Sequence, residues 1–145
     1  MNKSPLITAV QVAGDLKLSL TWNTGEIFVL DLTDTVKRQA AFAPLADPAV
    51  FAQVQLDEWG HGLDWPGGLD MGADRLYHLC RQQAGLFSPM DFDGWIKKNQ
   101  LSLTTAADAL GMTRRMIAHY RSGTRPIPKT VQLACIGWEA LKKAA

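Results

Sequence analysis

Apolar and polar positions alternate along the first third of the chain. In "KLSLTW", Leu18, Leu20 and Trp22 fall on one side and Lys17, Ser19 and Thr21 on the other, the period of two that a half-buried strand requires. "LITAVQVA" precedes this run and "EIFVLDL" follows it, each reading as another strand. Between the second and third lies "NTG", Asn23 to Gly25, a turn in which Gly25 is free to take a positive φ. The pattern predicts an antiparallel hairpin.

The next segment is less regular. In "TDTVKRQAAFAPL", Thr33 or Asp34 is expected to cap a short helix that Pro44 ends. A helical turn is expected near Pro48 to Phe51, a strand near Val54 to Leu56, and a turn around Gly60 to Gly62. Asp74 is expected to cap a helix bearing Leu76, Leu79 and Cys80, with Gly85 as the left-handed residue after it. "FSPMDFDG" then separates two halves, and the pattern beyond it is helical throughout. "DFDGWIKKNQL", "SLTTAADAL", "TRRMIAHYRSG" and "PKTVQLACIGWEALKK" give four helices in sequence. The expected architecture is a small α+β domain over residues 1–88, an antiparallel sheet with short helices. An all-α domain of four or five helices follows over residues 89–145.

Charge sharpens that division. The net charge is +1, but residues 1–91 hold six Lys/Arg against eleven Asp/Glu, and residues 92–145 hold nine against three. An acidic module joined to a basic one suits a protein whose second half approaches a polyanion. No apolar run reaches the roughly 20 residues of a membrane helix. The opening "MNKSPLITAVQVAGDLKLSL" reads as neither signal peptide nor anchor, so a cytoplasmic protein is expected. Cys80 and Cys135 lie in apolar, helix-like surroundings without metal-ligand spacing, as buried free thiols do.

Within the basic half, one run of residues meets several physical demands together. A sharp crossing of two short helices needs a small residue where they touch, and Ala107 supplies it. Leu110 completes the apolar stripe of the first helix. Gly111 can take a left-handed turn without a Cβ penalty. Met112 is apolar and can plug the angle, Thr113 can cap the next helix, and Ile117 can anchor it in the core. These residues resemble the helix-turn-helix of phage-repressor-like (Cro-type) regulators over about residues 92–143, including the exit loop "RSGTRPIP". The resemblance implies a lambda-repressor-like fold whose second helix, 113–122, enters the major groove of double-stranded DNA. Arg114, Arg115, Ala118 and His119 would then face base edges. Thr104 at the start of the preceding helix, with Ser122, Thr124 and Arg125 of the exit loop, would meet phosphates. Such regulators often carry Gln where this chain has Leu103. A leucine can neither bond a phosphate nor buttress the reading helix through its amide.

The acidic half carries "WNTGE", "LADPAVF" and "WPGGLD". Over about residues 5–82 it resembles a small bacterial family designated domain of unknown function 2442, which implies a small α+β fold and no established activity. Two readings of the "WPGGLD" region stand side by side. Trp59, His61, Asp64, Trp65 and Asp70 could line a ligand or partner pocket. Alternatively, the tryptophans close a small core behind a tight Pro-Gly-Gly turn.

Motifs for phosphate loops, zinc proteases and nucleophile elbows are absent, so no catalytic residue, cofactor or metal is expected. The sequence points to a DNA-binding transcriptional regulator, working as a homodimer, with its N-terminal domain as sensor, partner-binding or dimerisation module. The alternative is a protein-interaction partner of antitoxin type, with autoregulatory DNA binding or none.

Overall fold

A computed structural model describes residues 4–145. Met1–Lys3, the first residues of the segment read as carrying no leader, lie outside the described residues. The chain divides into two compact units, Pro5–Gln83 and Ala84–Ala145.

The first unit is built on two small antiparallel sheets. β1 (Ile7–Gly14), β2 (Lys17–Trp22) and β3 (Ile27–Asp31) form one, in that order. The alternation in "KLSLTW" sets its inner face: Leu18 and Leu20 are fully buried and Trp22 is 1% exposed. The β2–β3 hairpin closes as its sequence predicts. The Gly25 N–H donates to the Trp22 carbonyl at 3.0 Å, with Gly25 at φ 91°.

After β3 the chain enters α1 (Thr33–Arg38). Neither Thr33 nor Asp34 caps it, contrary to expectation. The Asp31 carboxylate instead accepts from the Thr33 N–H at 2.9 Å and the Thr33 hydroxyl at 2.6 Å. Those bonds hold its pKa below the usual carboxylate value. Nor does Pro44 end this helix. The helix stops at Arg38, and Pro44 lies inside a separate 3₁₀ helix, Ala40–Ala46, which presents Phe42 and Leu45 to the core. α2 (Pro48–Phe51) follows where expected, with Asp47 as its N-cap and Pro48 in its first turn.

The second sheet comprises β4 (Gln55–Leu56), β5 (Gly62–Trp65) and β6 (Leu69–Gly72). "WPGGLD" is the β5–β6 turn. Trp65 pairs with Leu69 across it, and Gly67 and Gly68 take φ of 85° and 79°, values open to glycine. α3 (Ala73–Gln83) completes the unit. Asp74 lies in its first turn rather than capping it, and Gly85 beyond it is left-handed, φ 74°. Between α3 and the sheets lies the core of Ile7, Leu30, Leu63, Met71, Leu76 and Tyr77. Tyr77 packs edge-on against Trp22, ring centres 5.0 Å apart.

A polar cluster borders this core. Glu26 accepts from the Tyr77 hydroxyl, from Arg81 at 2.9 Å and from Thr24 at 2.7 Å. The Arg81 side chain is 4% exposed, so its charge is held by the partner it finds there.

The second unit is helical: α4 (Pro89–Lys98), α5 (Leu103–Leu110), α6 (Arg114–Ser122) and α7 (Lys129–Ala144). The separator "FSPMDFDG" proves to be the start of α4. Ser88 and Asp91 form a reciprocal capping box there, which places the helix two residues earlier than its apolar period suggests. Phe92, Ile96, Ala106, Ile117 and Cys135 form the core, with Trp95, Tyr120, Ile127 and Val131 around it. The last helix is apolar on two sides, as its sequence indicates. Val131 and Cys135 are buried, while Leu133, Ile136 and Leu141 are 55%, 51% and 75% exposed. Both cysteines are free and buried. Among the described residues no helix is long and apolar enough to cross a membrane.

Candidate nucleic-acid interface

The α5–α6 pair is shaped at every junction by an identifiable residue. Ser102 caps α5 in a box with Thr105, whose hydroxyl accepts from the Ser102 N–H at 2.7 Å. α5 ends at Gly111, in left-handed conformation at φ 67° and ψ 38°. The Met112 N–H then reaches back to the Ala107 carbonyl at 2.9 Å, the six-to-one bond of a Schellman ending. Thr113 opens α6, its hydroxyl accepting from the Met116 N–H at 3.2 Å. Satisfying these end groups through local bonds fixes the angle at which α6 leaves the turn.

Packing fixes the roll of α6. Ile117 is fully buried and Tyr120 is 5% exposed, its ring edge-on to Phe92 with centres 5.8 Å apart. Ala107 is 5% exposed. Met112 and Leu110 are half-buried and packed on the same cluster, as their expected framing role requires. At about 100° per residue, burying Ile117 and Tyr120 turns Arg114, Arg115, Ala118 and Ser122 outward within one arc of about 100°. Arg114, Arg115, Ala118 and Ser122 are all exposed. His119 lies at the margin and is half-buried.

Electrostatics separate the cations of this unit into two groups. Arg121 donates to Asp93 through Nε at 3.0 Å and Nη2 at 2.7 Å, and Lys97 binds the other Asp93 oxygen at 2.8 Å. Lys98 pairs with Glu139 at 3.3 Å. Among the described residues no carboxylate lies within ion-pairing distance of Arg114, Arg115 or Arg125. On α6 and its exit loop these three arginines are therefore the cations left to meet an external anion; on α7, Lys129 donates to the Gly85 carbonyl at 3.1 Å and Lys142 lies over the Trp138 ring. Asp93, on α4, is the residue that sequence reasoning passed over. Its i,i+4 spacing to Lys97 is visible in the chain, but its reach to Arg121, 28 positions away, is not.

The exit loop is ordered by its own side chains. Gly123 ends α6 at φ 80°. The Ser122 and Thr124 hydroxyls lie 2.6 Å apart, and Ser122 Oγ also accepts from the Thr124 N–H at 3.3 Å. Arg125 is exposed beyond them, and Thr104 is exposed on the first turn of α5. Leu103, where a glutamine was the expected helper, is half-buried and packs on the helical core.

The pocket read around "WPGGLD" does not form from its five residues. Trp65 is buried, stacked on Phe51, and donates its Nε1 to the Phe51 carbonyl at 3.2 Å. Trp59 is 69% exposed on its turn, and His61, Asp64 and Asp70 are exposed. The turn reading holds for Trp65, which closes the core, and not for Trp59, which stays outside it. Asp64 and Trp65 do border an open cleft of about 430 Å³ with Ala52, Gln53, Val54, Gln55 and Pro66. Among the described residues no cluster of His, Cys, Asp or Glu is arranged to hold a metal ion.

This architecture defines a two-module chain, a small α+β unit joined to a helical unit with a basic exposed helix face. The chain belongs to the family described as "Protein of unknown function (DUF2442)", whose model matches residues 7–82. It is also similar over both units to a crystal structure of a protein from Nitrosomonas europaea ATCC 19718, described as a "putative DNA binding protein". The two share 42% sequence identity, with 97% of this chain and 91% of that chain covered and a TM-score of 0.83. No curated protein matches this chain.

Proposed function

We propose that the protein is a DNA-binding transcriptional regulator that reads the major groove with α6, through a helix-turn-helix of the lambda-repressor-like, Cro-type class. The observation that carries this reading is the set of unpaired guanidinium groups, Arg114 and Arg115, on the first turn of a helix whose angle and roll are fixed by Gly111, Thr113 and Ile117. The description of the Nitrosomonas europaea relative supports it. Arg114, Arg115, Ala118 and His119 face base edges. Thr104, Ser122, Thr124 and Arg125 hold phosphates. Reading as a homodimer matches protein two-fold symmetry to paired half-sites. The α+β unit serves as sensor, partner-binding or dimerisation module.

Selection of binding sites from random double-stranded DNA, followed by titration at several salt concentrations, tests the reading. Arg114→Ala should change base preference at one half-site position, by about 1–3 kcal/mol for a bidentate guanine contact. Arg125→Ala should weaken all sequences alike and reduce the salt slope by about one. The reading fails if no sequence is enriched and Arg114→Ala binds as wild type does.

A further inference from the structure

One position on the inner face of the first sheet is left uncovered. Residues directly opposite each other in an antiparallel pair share a face. Val12 lies opposite Leu18, and Leu18 opposite Leu30, so all three belong to the core side. Leu18 and Leu30 are fully buried, whereas Val12 is 46% exposed. An open cleft of about 500 Å³ lies against it, within the range that holds a small organic molecule.

Both walls of the cleft are held in place. On one side the 3₁₀ helix and α2 contribute Leu45, Pro48 and Phe51, and Leu45 and Phe51 are anchored in the core. On the other side is the β1–β2 turn. A register shift between Val12 and Gly14 marks a bulge, a feature that re-aims side chains. Leu16 follows in left-handed conformation at φ 55°, which a side chain with a Cβ rarely adopts. Its carbonyl accepts from the Leu32 N–H at 2.7 Å and its side chain packs on the core, so the turn is fixed. Among the described residues Asp15 is the charged side chain at this cleft. It is exposed, and among the described residues no cation lies within ion-pairing distance of it. Lys17, two positions on, lies opposite Asp31 on the outer face. Residues 5–83 hold five Lys/Arg against ten Asp/Glu, an excess that draws cations to the unit.

We infer that this cleft binds a small apolar molecule carrying a protonated amine. The hydrocarbon part covers Val12 and rests on Leu16, Leu45 and Phe51, while the ammonium group stays at the mouth with Asp15. The apolar walls supply affinity, and the carboxylate selects the sign of the charge. This ligand class deepens the sensor role of the α+β unit and rests on that role for its purpose. Binding is measured without DNA, so failure here and failure of the DNA reading are distinct.

The test is titration of the isotope-labelled full chain with phenethylamine, followed through backbone amide shifts in nuclear magnetic resonance. Saturable shifts should be confined to residues 12–16 and 45–51, with a dissociation constant on the order of 1 mM for so small a molecule. Phenylacetate, the same ring with the opposite charge, should bind roughly fivefold more weakly. Asp15→Asn should weaken phenethylamine about threefold and remove its advantage over neutral phenethyl alcohol. Val12→Trp fills the cleft and should abolish binding of all three while melting as a folded protein. Should that variant fail to fold, Ala46→Leu, which narrows the opposite wall, decides in its place. Asp64→Asn, at the other cleft, should bind as wild type does. Absence of saturable shifts overturns the inference, as do shifts centred outside these two segments. So does phenylacetate binding as tightly as the amine, or full binding by a folded Val12→Trp.

Discussion

Replacing Asp93 by Asn should make the helical unit less stable and, under the proposed function, a tighter DNA binder at once. The carboxylate holds Arg121 at 2.7 Å and Lys97 at 2.8 Å, joining α4 to α6 across the fold and bridging one turn within α4. These groups are 28–72% exposed, so each pair is worth the surface value of about 0.2–1 kcal/mol. Together they contribute about 1 kcal/mol, a fall in melting temperature of roughly 4–8 °C for a domain of this size. The opposite effect arises at the interface. Seven residues along α6, Arg121 stands nearly in line with Arg114, but its charge is turned to Asp93. Asn leaves the shape, frees two cations and removes an anion from beside the exposed face of α6. Binding should tighten about fivefold at low salt, and the slope of log K against log salt should steepen by about one unit per phosphate gained. Acidity supplies a control. The Lys97 and Arg121 hydrogen bonds lower the Asp93 pKa. Its contribution is therefore complete above the unfolded carboxylate value and is lost as pH falls through the lower, folded one. Melts of wild type and Asp93→Asn should differ at neutral pH and converge in strong acid. Fluorescence anisotropy with an enriched site gives the affinities. A variant that binds DNA more weakly at every salt concentration refutes the reasoning, as does one that melts with wild type at pH 7.

Two further outcomes follow from the α+β unit. Glu26→Ala removes the carboxylate that Tyr77, Arg81 and Thr24 share and should cost about 1–3 kcal/mol in urea unfolding; adding Arg81→Met should restore part of it. Gly60→Ala sets a Cβ 2.4 Å from the Ile7 carbonyl oxygen at a φ of +74°, and should cost at least ~2 kcal/mol, read as a lower urea midpoint with an unchanged slope.

What the sequence made legible is what short-range physics controls. The alternation Leu18–Leu20–Trp22, the Asn23–Gly25 turn, the left-handed Gly111 and the Thr113 cap each depend on a few adjacent residues, and each is found as expected. Where two neighbours competed for one role, the pattern was misleading. Thr33 and Asp34 both suit an N-cap, but Asp31, the last residue of β3, reaches the Thr33 N–H first. Ser88 drew α4 back into a stretch that its Pro and Ser made look like a linker. Pairings distant in sequence left no trace in it. Arg81 and Glu26 are 55 positions apart, and Arg121 and Asp93 are 28 apart. On the exposed face of α6, Arg114 and Arg115 were visible as basic residues after a cap. Only the fold distinguishes them from Arg121, which looks the same in the sequence and is already engaged.

Each unit also buries one thiol, Cys80 in α3 and Cys135 in α7. Burial pushes both up to about 12, so at neutral pH neither is the thiolate that reacts. Alkylation can then proceed only through opening of the unit that encloses the sulfur. The chain thus carries two native clocks, one for each module. Their separate labelling rates, read by mass spectrometry on the unmodified protein, tell which module opens first and whether a bound partner closes one or both.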